Sequence, residues 1–139
     1  MDAREYIELL GLGPHPEGGH FVETWREGSL GERGAGTAIY FLLEKGQRSR
    51  WHRVDAAEIW HHYAGAPLEL LTAPTSGPVT RRVLGKDIAA GECPQLIVEA
   101  DEWQAAQSLG EFTLVGCTVS PAFLFEKFEL APPGWEPGS

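Results

Sequence analysis

The chain has 139 residues, with twenty acidic against eleven basic side chains and a net charge of −9. That length suits one domain, here residues 1–139, with a core that needs no staple. The negative charge repels phosphate backbones and anionic membranes, which argues against a nucleic-acid role.

The first ten residues read as a helix. Asp2 and Glu5 form a capping-box pattern, Ala3, Tyr6, Ile7, Leu9 and Leu10 supply an apolar stripe, and Gly11 supplies the stop. No stretch there resembles a signal peptide, and no run approaches the ~20 apolar residues of a membrane span, so a cytoplasmic protein is expected. A turn-rich segment, Gly11 to Gly19, follows.

Beyond it the pattern switches to period two and to short apolar runs broken by glycine, proline or charge. Strands are expected at 20–26, 37–43, 48–54, 58–63, 68–73, 79–84, 95–99, 103–106, 112–120 and 123–130. Short strands at such spacing are the pattern of an all-β sandwich or barrel, here over about residues 19–130. Residues 132–139 are expected to fray. Cys117, inside the apolar run Thr113 to Val119, reads as a small buried hydrophobe rather than half of a disulfide with Cys93. Six basic residues fall in two short stretches, Arg48, Arg50, Arg53 and Arg81, Arg82, Lys86. A solvated strand edge is weighed there above an anion site.

The informative stretch runs from Gly46 to Gly65. Gly46, His52, Glu58 and Gly65 stand at the spacing of the first cupin motif, in which glycine is followed by a His-x-His pair, a glutamate and a second glycine. Val54 occupies the second histidine position. Residues two apart on a strand face one side, so positions 52 and 54 point into the barrel and Glu58 reaches the same spot from the next strand. The second motif is matched by Glu99-Ala-Asp-Glu-Trp-Gln104, with Gln104 where a histidine is usual. With two strong donors left of four, the reading is a barrel kept and a metal lost.

Beyond these motifs the chain resembles one branch of the cupins, the family known as domain of unknown function 985, which includes a small yeast cupin. The resemblance rests on the segment from Leu10 to Trp25 with its Pro-His-Pro-Glu-Gly-Gly block, on Trp51-His-Arg53, on Glu58-Ile-Trp-His61 with Tyr63-Ala-Gly65, and on Val119-Ser-Pro-Ala-Phe123. It implies a double-stranded β-helix, or jelly roll, and a homodimer, and it names no substrate. Family members more often carry glycine at position 122 and a large apolar residue at position 62.

Counting from Glu58, Trp60 and His62 share its face and His61 and Tyr63 the other. An inward His62 could replace the donor missing at Val54 or carry a proton, and could equally be a hydrogen-bonded core histidine. His15 is read chiefly as shaping its loop. Tyr40, Trp60, Trp103 and Gln104 are the candidate ligand-binding residues, and His52, Glu58 and His62 the candidate catalytic ones. Tyr40 and the tryptophans are first of all candidates for core and interface. Trp60 beside Glu58 would desolvate the carboxyl and raise its pKa.

The expected function is small-molecule binding in the barrel, with a metal-free isomerase or epimerase of a sugar or small acid as the leading chemistry. A non-catalytic binding module and a metal-dependent oxygenase or isomerase are the alternatives. No cofactor is expected, apart from a divalent metal held weakly at His52 and Glu58.

Overall fold

The computed structural model describes residues 1–28 and 31–138. Helix α1 (Ala3–Leu10) starts where expected. The Asp2 side chain accepts the backbone N–H of Glu5, the Glu5 carboxylate accepts that of Asp2, and Gly11 closes the helix in the left-handed region.

Eleven strands follow among the described residues: β1 (Gly13–Pro14), β2 (His20–Arg26), β3 (Thr37–Glu44), β4 (Arg48–Arg53), β5 (Ala57–Gly65), β6 (Leu68–Ala73), β7 (Thr80–Leu84), β8 (Gln95–Val98), β9 (Trp103–Ser108), β10 (Phe112–Ser120) and β11 (Glu129–Leu130). They form two antiparallel sheets. One has the order β1-β2-β3-β10-β5-β8 and the other β11-β4-β9-β6-β7. This is the double-stranded β-helix that the motifs implied.

The core between the sheets follows from strand parity. Phe41 and Leu43 of β3, Val115 and Cys117 of β10, and Trp60 of β5 face Leu68 and Leu70 of β6 and Ala106 of β9. The opposite face of the six-stranded sheet is partly covered by α1, where Ala3, Tyr6 and Ile7 meet Leu42 and Leu114. Cys93 is exposed, Cys117 is buried, and both are free thiols.

Two expectations are corrected. Residues 123–130 form a short 3-10 turn, Phe125–Lys127, and only the two-residue strand β11. The described part of the C-terminal segment is packed on the barrel. Trp135 packs 4.5 Å from the Trp103 ring and 6.4 Å from Trp51, and Gly138 N–H donates to the Thr75 carbonyl at 2.9 Å. An aromatic that buries its ring offsets the ordering of a short tail. Ser139 lies outside the described residues.

Four of the six residues of the basic stretches are held one at a time. Arg53 pairs with Glu129, Arg81 with Glu69, and Arg50 and Arg82 donate to the carbonyls of Ala131 and Ile97.

Candidate functional site: a carboxyl–histidine pair in an aromatic-walled cavity

A cavity opens between the sheets, with about 540 Å³ of space, mouth included. Its polar end carries His15, Glu17, His52 and Glu58; its walls include Phe21, Phe41, Val54, Val119 and Phe128.

Glu17 reaches this place on the turn-rich segment before β2, and two glycines allow it. Gly18 has φ +114°, and a Cβ there would fall 2.1 Å from the Arg48 carbonyl oxygen. Gly19 has φ +81°, and a Cβ there would fall 2.7 Å from the Leu42 carbonyl oxygen. With no side chains in the way, the loop lies flat on β4 and Arg50 N–H donates to the Glu17 carbonyl at 2.9 Å. The Glu17 carboxyl is thereby placed between strand and cavity, 6% exposed.

Its contacts fix where protons sit. Ser49 Oγ donates to Glu17 Oε1 at 2.5 Å, and His52 Nε2 lies 3.1 Å from Oε2. His52 Nδ1 is 2.7 Å from the Arg50 carbonyl, which only accepts, so Nδ1 carries a hydrogen. In a neutral ring Nε2 is then an acceptor, and the contact with Glu17 needs one proton between the two groups. Burial pushes the Glu17 carboxyl up to about 8, against a smaller lowering by Ser49, and burial lowers His52. Both directions put the proton on Glu17. His15 is neutral for a similar reason. Its Nδ1 accepts the Glu17 backbone N–H at 3.0 Å, and burial, with the charge of His52 adding, lowers its pKa to about 4.

Glu58 enters from β5 on the facing sheet, 8% exposed. Gln104 Nε2 donates to its Oε1 at 2.8 Å, and Gln104 Oε1 accepts the Trp60 indole N–H at 2.8 Å. Burial raises its pKa, the nearby His52 lowers it, and Glu17 raises it again. Cys117, a hydrogen-bond partner of Glu58, is pushed well above the ordinary thiol range, first by burial.

The sequence-derived residues therefore separate. His52 and Glu58 line the cavity. Gln104 and Trp60, both buried, lie behind Glu58 and position it. His62 does not line the cavity. It shares the parity of Glu58 but lies four residues, about 13 Å of strand, further along. There its Nε2 donates to the Ala66 carbonyl at 3.0 Å. Tyr40 alternates outward from Phe41 and joins the cluster under α1, its ring 6.0 Å from Tyr63. Trp103 alternates outward from Gln104, donating to Thr75 Oγ1 and stacking with Arg53 and Trp135. His61 faces outward, its Nε2 3.1 Å from Thr118 Oγ1. Strand parity could not reveal Glu17 and His15, which belong to a loop; their one signal is the Pro-His-Pro-Glu-Gly-Gly block.

The fold raises the question of a metal, and the donor set does not fit one. Val54 lines the cavity with no donor atom, and Gln104 is bound to Trp60 and Glu58. The described residues hold no group of three or more His, Cys, Asp or Glu side chains disposed to bind an ion.

Comparison with known proteins bears on this geometry. The crystal structure of protein SO0799 from Shewanella oneidensis superposes with a TM-score of 0.89 at 37% identity, covering 94% of this chain and 85% of that one. A hypothetical protein from Leishmania major gives 0.86 at 29% identity, covering 94% and 88%. Oxalate decarboxylase from Lactobacillus farciminis gives 0.64 at 16% identity, covering 86% of this chain and 33% of that one, a likeness of fold alone. No curated protein matches the chain. Residues 4–131 match the family model Cupin_5, described as cupin superfamily (DUF985), and the chain belongs to that family.

Proposed function

We propose that the barrel binds a small molecule and moves protons on it, as a metal-free isomerase or epimerase. The observation that carries this reading is the 3.1 Å contact between His52 and the buried Glu17 carboxyl at the wall of a largely apolar cavity. Burying such a pair together with Glu58 is costly for a purely structural end, and perturbed carboxyls in a cleft are the usual mark of acid–base chemistry.

The two faces supply two roles. Glu58, made more basic by burial, takes the proton from a carbon beside a carbonyl. The C–H electron pair becomes a C=C bond, the carbonyl π pair moves to oxygen, and that oxygen takes the Glu17 proton. Ser49 Oγ, still donating to Glu17 Oε1, holds the carboxylate in place once its proton has gone. Once the enol has turned its other face to Glu58, return of the proton to the same carbon, with the enol hydroxyl giving its proton back to Glu17, gives epimerisation; return to the neighbouring carbon of an enediol, with Glu17 recovering a proton from the second hydroxyl, gives isomerisation. His62, remote from the cavity, has no part in this.

The homodimer belongs to the same reading. Ile59, His61 and Tyr63 of β5 and Ile97 of β8 lie outward on the six-stranded sheet, with Ile97 and Tyr63 about half exposed, a face suited to a second copy.

The test is exchange in D₂O. The protein is incubated with α-hydroxy ketones and aldoses, and deuterium at carbon is read by NMR. Deuterium gained with the wild type and reduced at least ~100-fold by Glu58→Gln and by Glu17→Gln supports the proposal. A ligand that binds without exchange makes the protein a carrier and overturns the catalytic half.

A further inference from the structure

The cavity's walls also restrict what can enter it. Three carboxyl-bearing residues line it, Glu17, Glu23 and Glu58, and among the described residues no lysine or arginine does. Two cations near its mouth are already engaged. Arg26 makes two 2.9 Å bonds to Glu23 and a third to the Phe123 carbonyl; Arg33 holds Asp55 at 2.9 and 2.7 Å and donates to the Ala122 carbonyl. Lys127, on the turn that carries Phe125, feels the charge of Asp55 and does not line the cavity. A carboxylate or phosphate would meet acidic groups and no counter-ion in the cavity wall, and would lose its hydration for nothing.

A sugar fits no better, because each hydroxyl taken from water needs a partner and the donors and acceptors are concentrated at one end. The rest is aromatic. Phe123, Phe125 and Phe128, on the segment between β10 and β11, form a cluster with ring centroids 5.0–6.2 Å apart. Phe128 continues it inward to 5.5 Å from the His52 ring and 6.3 Å from His15. Phe125 is 56% exposed, a large apolar ring left at the mouth. The base of this segment is pinned by Arg26 and Arg33, so the phenylalanines are presented on an anchored frame.

We infer that the ligand is an uncharged molecule with one ring or a short aliphatic body, seated against these phenylalanines, and a single carbonyl or hydroxyl head directed at Glu17 and His52. The enclosed part of the space is small and admits nothing larger than one ring with a short polar arm. The inference rests on the barrel being the working site and narrows the sugar or small acid expected from the sequence to a neutral, apolar-bodied carbonyl compound.

The experiment compares binding of four probes by ligand-observed NMR: α-hydroxyacetophenone, its anionic counterpart mandelate, dihydroxyacetone and glucose. The expected result is saturable binding of α-hydroxyacetophenone at least ~10-fold tighter than of the other three, weakened ~10-fold or more by Phe128→Ala. Phe125→Ser, at an exposed position that leaves the core intact, is the second variant and should also weaken it. Equal or tighter binding of mandelate, dihydroxyacetone or glucose overturns the inference, as does no saturation by α-hydroxyacetophenone up to roughly 10 mM. Deuterium exchange is scored separately. Tight binding of the aromatic ketone without exchange upholds the ligand class and removes the catalysis; exchange in dihydroxyacetone without preferential binding of the aromatic ketone does the reverse.

Discussion

His52 Nε2 and Glu17 Oε2 lie 3.1 Å apart, and the hydrogen on His52 Nδ1, given to the Arg50 carbonyl, leaves one proton for the contact between them. The groups that face this contact are His15, Ser49 and Glu58. Stability should therefore depend on pH in a definite direction. Folding raises Glu17 from the ordinary 4.5 to about 8, so the folded state keeps a proton that the unfolded chain has released, and Glu58 is raised in the same direction. The Glu17 stabilisation is complete below about 4.5 and is lost as pH rises towards 8. His15 and His52 act oppositely, but only below about 6.5, where the unfolded histidines begin to charge. Between pH 6.5 and 8 the proton kept by Glu17 sets the slope, about 1.4 kcal/mol per pH unit. Melting curves should show Tm falling by roughly 5 °C over that interval. Glu17→Gln, which imitates the protonated carboxyl, should flatten most of the slope; an unchanged slope would place the retained proton elsewhere.

Gly18→Ala tests how the loop delivers Glu17. The added Cβ meets the Arg48 carbonyl at 2.1 Å, and φ +114° is unfavourable for alanine. Destabilisation of roughly 2 kcal/mol or more is expected, together with loss of the alkaline slope as Glu17 leaves His52. A variant as stable as the wild type would show that the loop does not lie against β4.

Gln104→Leu removes the bridge between Trp60 and Glu58, stranding an indole N–H and a carboxyl oxygen in the core. The expected loss is roughly 2–4 kcal/mol in urea unfolding. In exchange assays, Gln104→Leu should lower turnover less than Glu58→Gln does, because Gln104 positions the base and does not touch the substrate.

The donor set predicts little metal. Elemental analysis of protein purified without added metal should return clearly less than one equivalent, unchanged by His52→Ala. A stoichiometric transition metal lost on that substitution would restore the metal-dependent reading.

For the dimer, sedimentation at micromolar concentration should give a two-chain species, and Ile97→Arg with Tyr63→Glu should yield a folded monomer. Ile97 is 51% exposed and Tyr63 46%, so neither change opens the core. A monomeric wild type would remove the dimer from the proposal.

The barrel was legible because its rules are local. Glycine and proline mark turns, alternation marks faces, and Gly46, His52, Glu58 and Gly65 stand at a recognisable spacing. Parity also placed His52 and Glu58 on inward faces. It erred where a face was mistaken for a place. His62 shares a face with Glu58 but lies further along the strand, and Trp103, named as a ligand-binding candidate, faces away because its neighbour Gln104 holds the inward position. Glu17 was invisible to this reasoning, since a loop has no period and its course depends on a fit between Gly18 and the Arg48 carbonyl that no spacing encodes.

The arrival of Glu17 on a loop has an evolutionary corollary. Glu17 is not woven into the sheets; it is laid on β4 through the Arg50 amide and the Ser49 hydroxyl, while Glu58 belongs to β5. Replacing residues 15–17 would exchange this carboxyl and leave every strand in place. Selection can thus revise the polar end of the cavity in a three-residue cassette, without re-solving the problem of folding it.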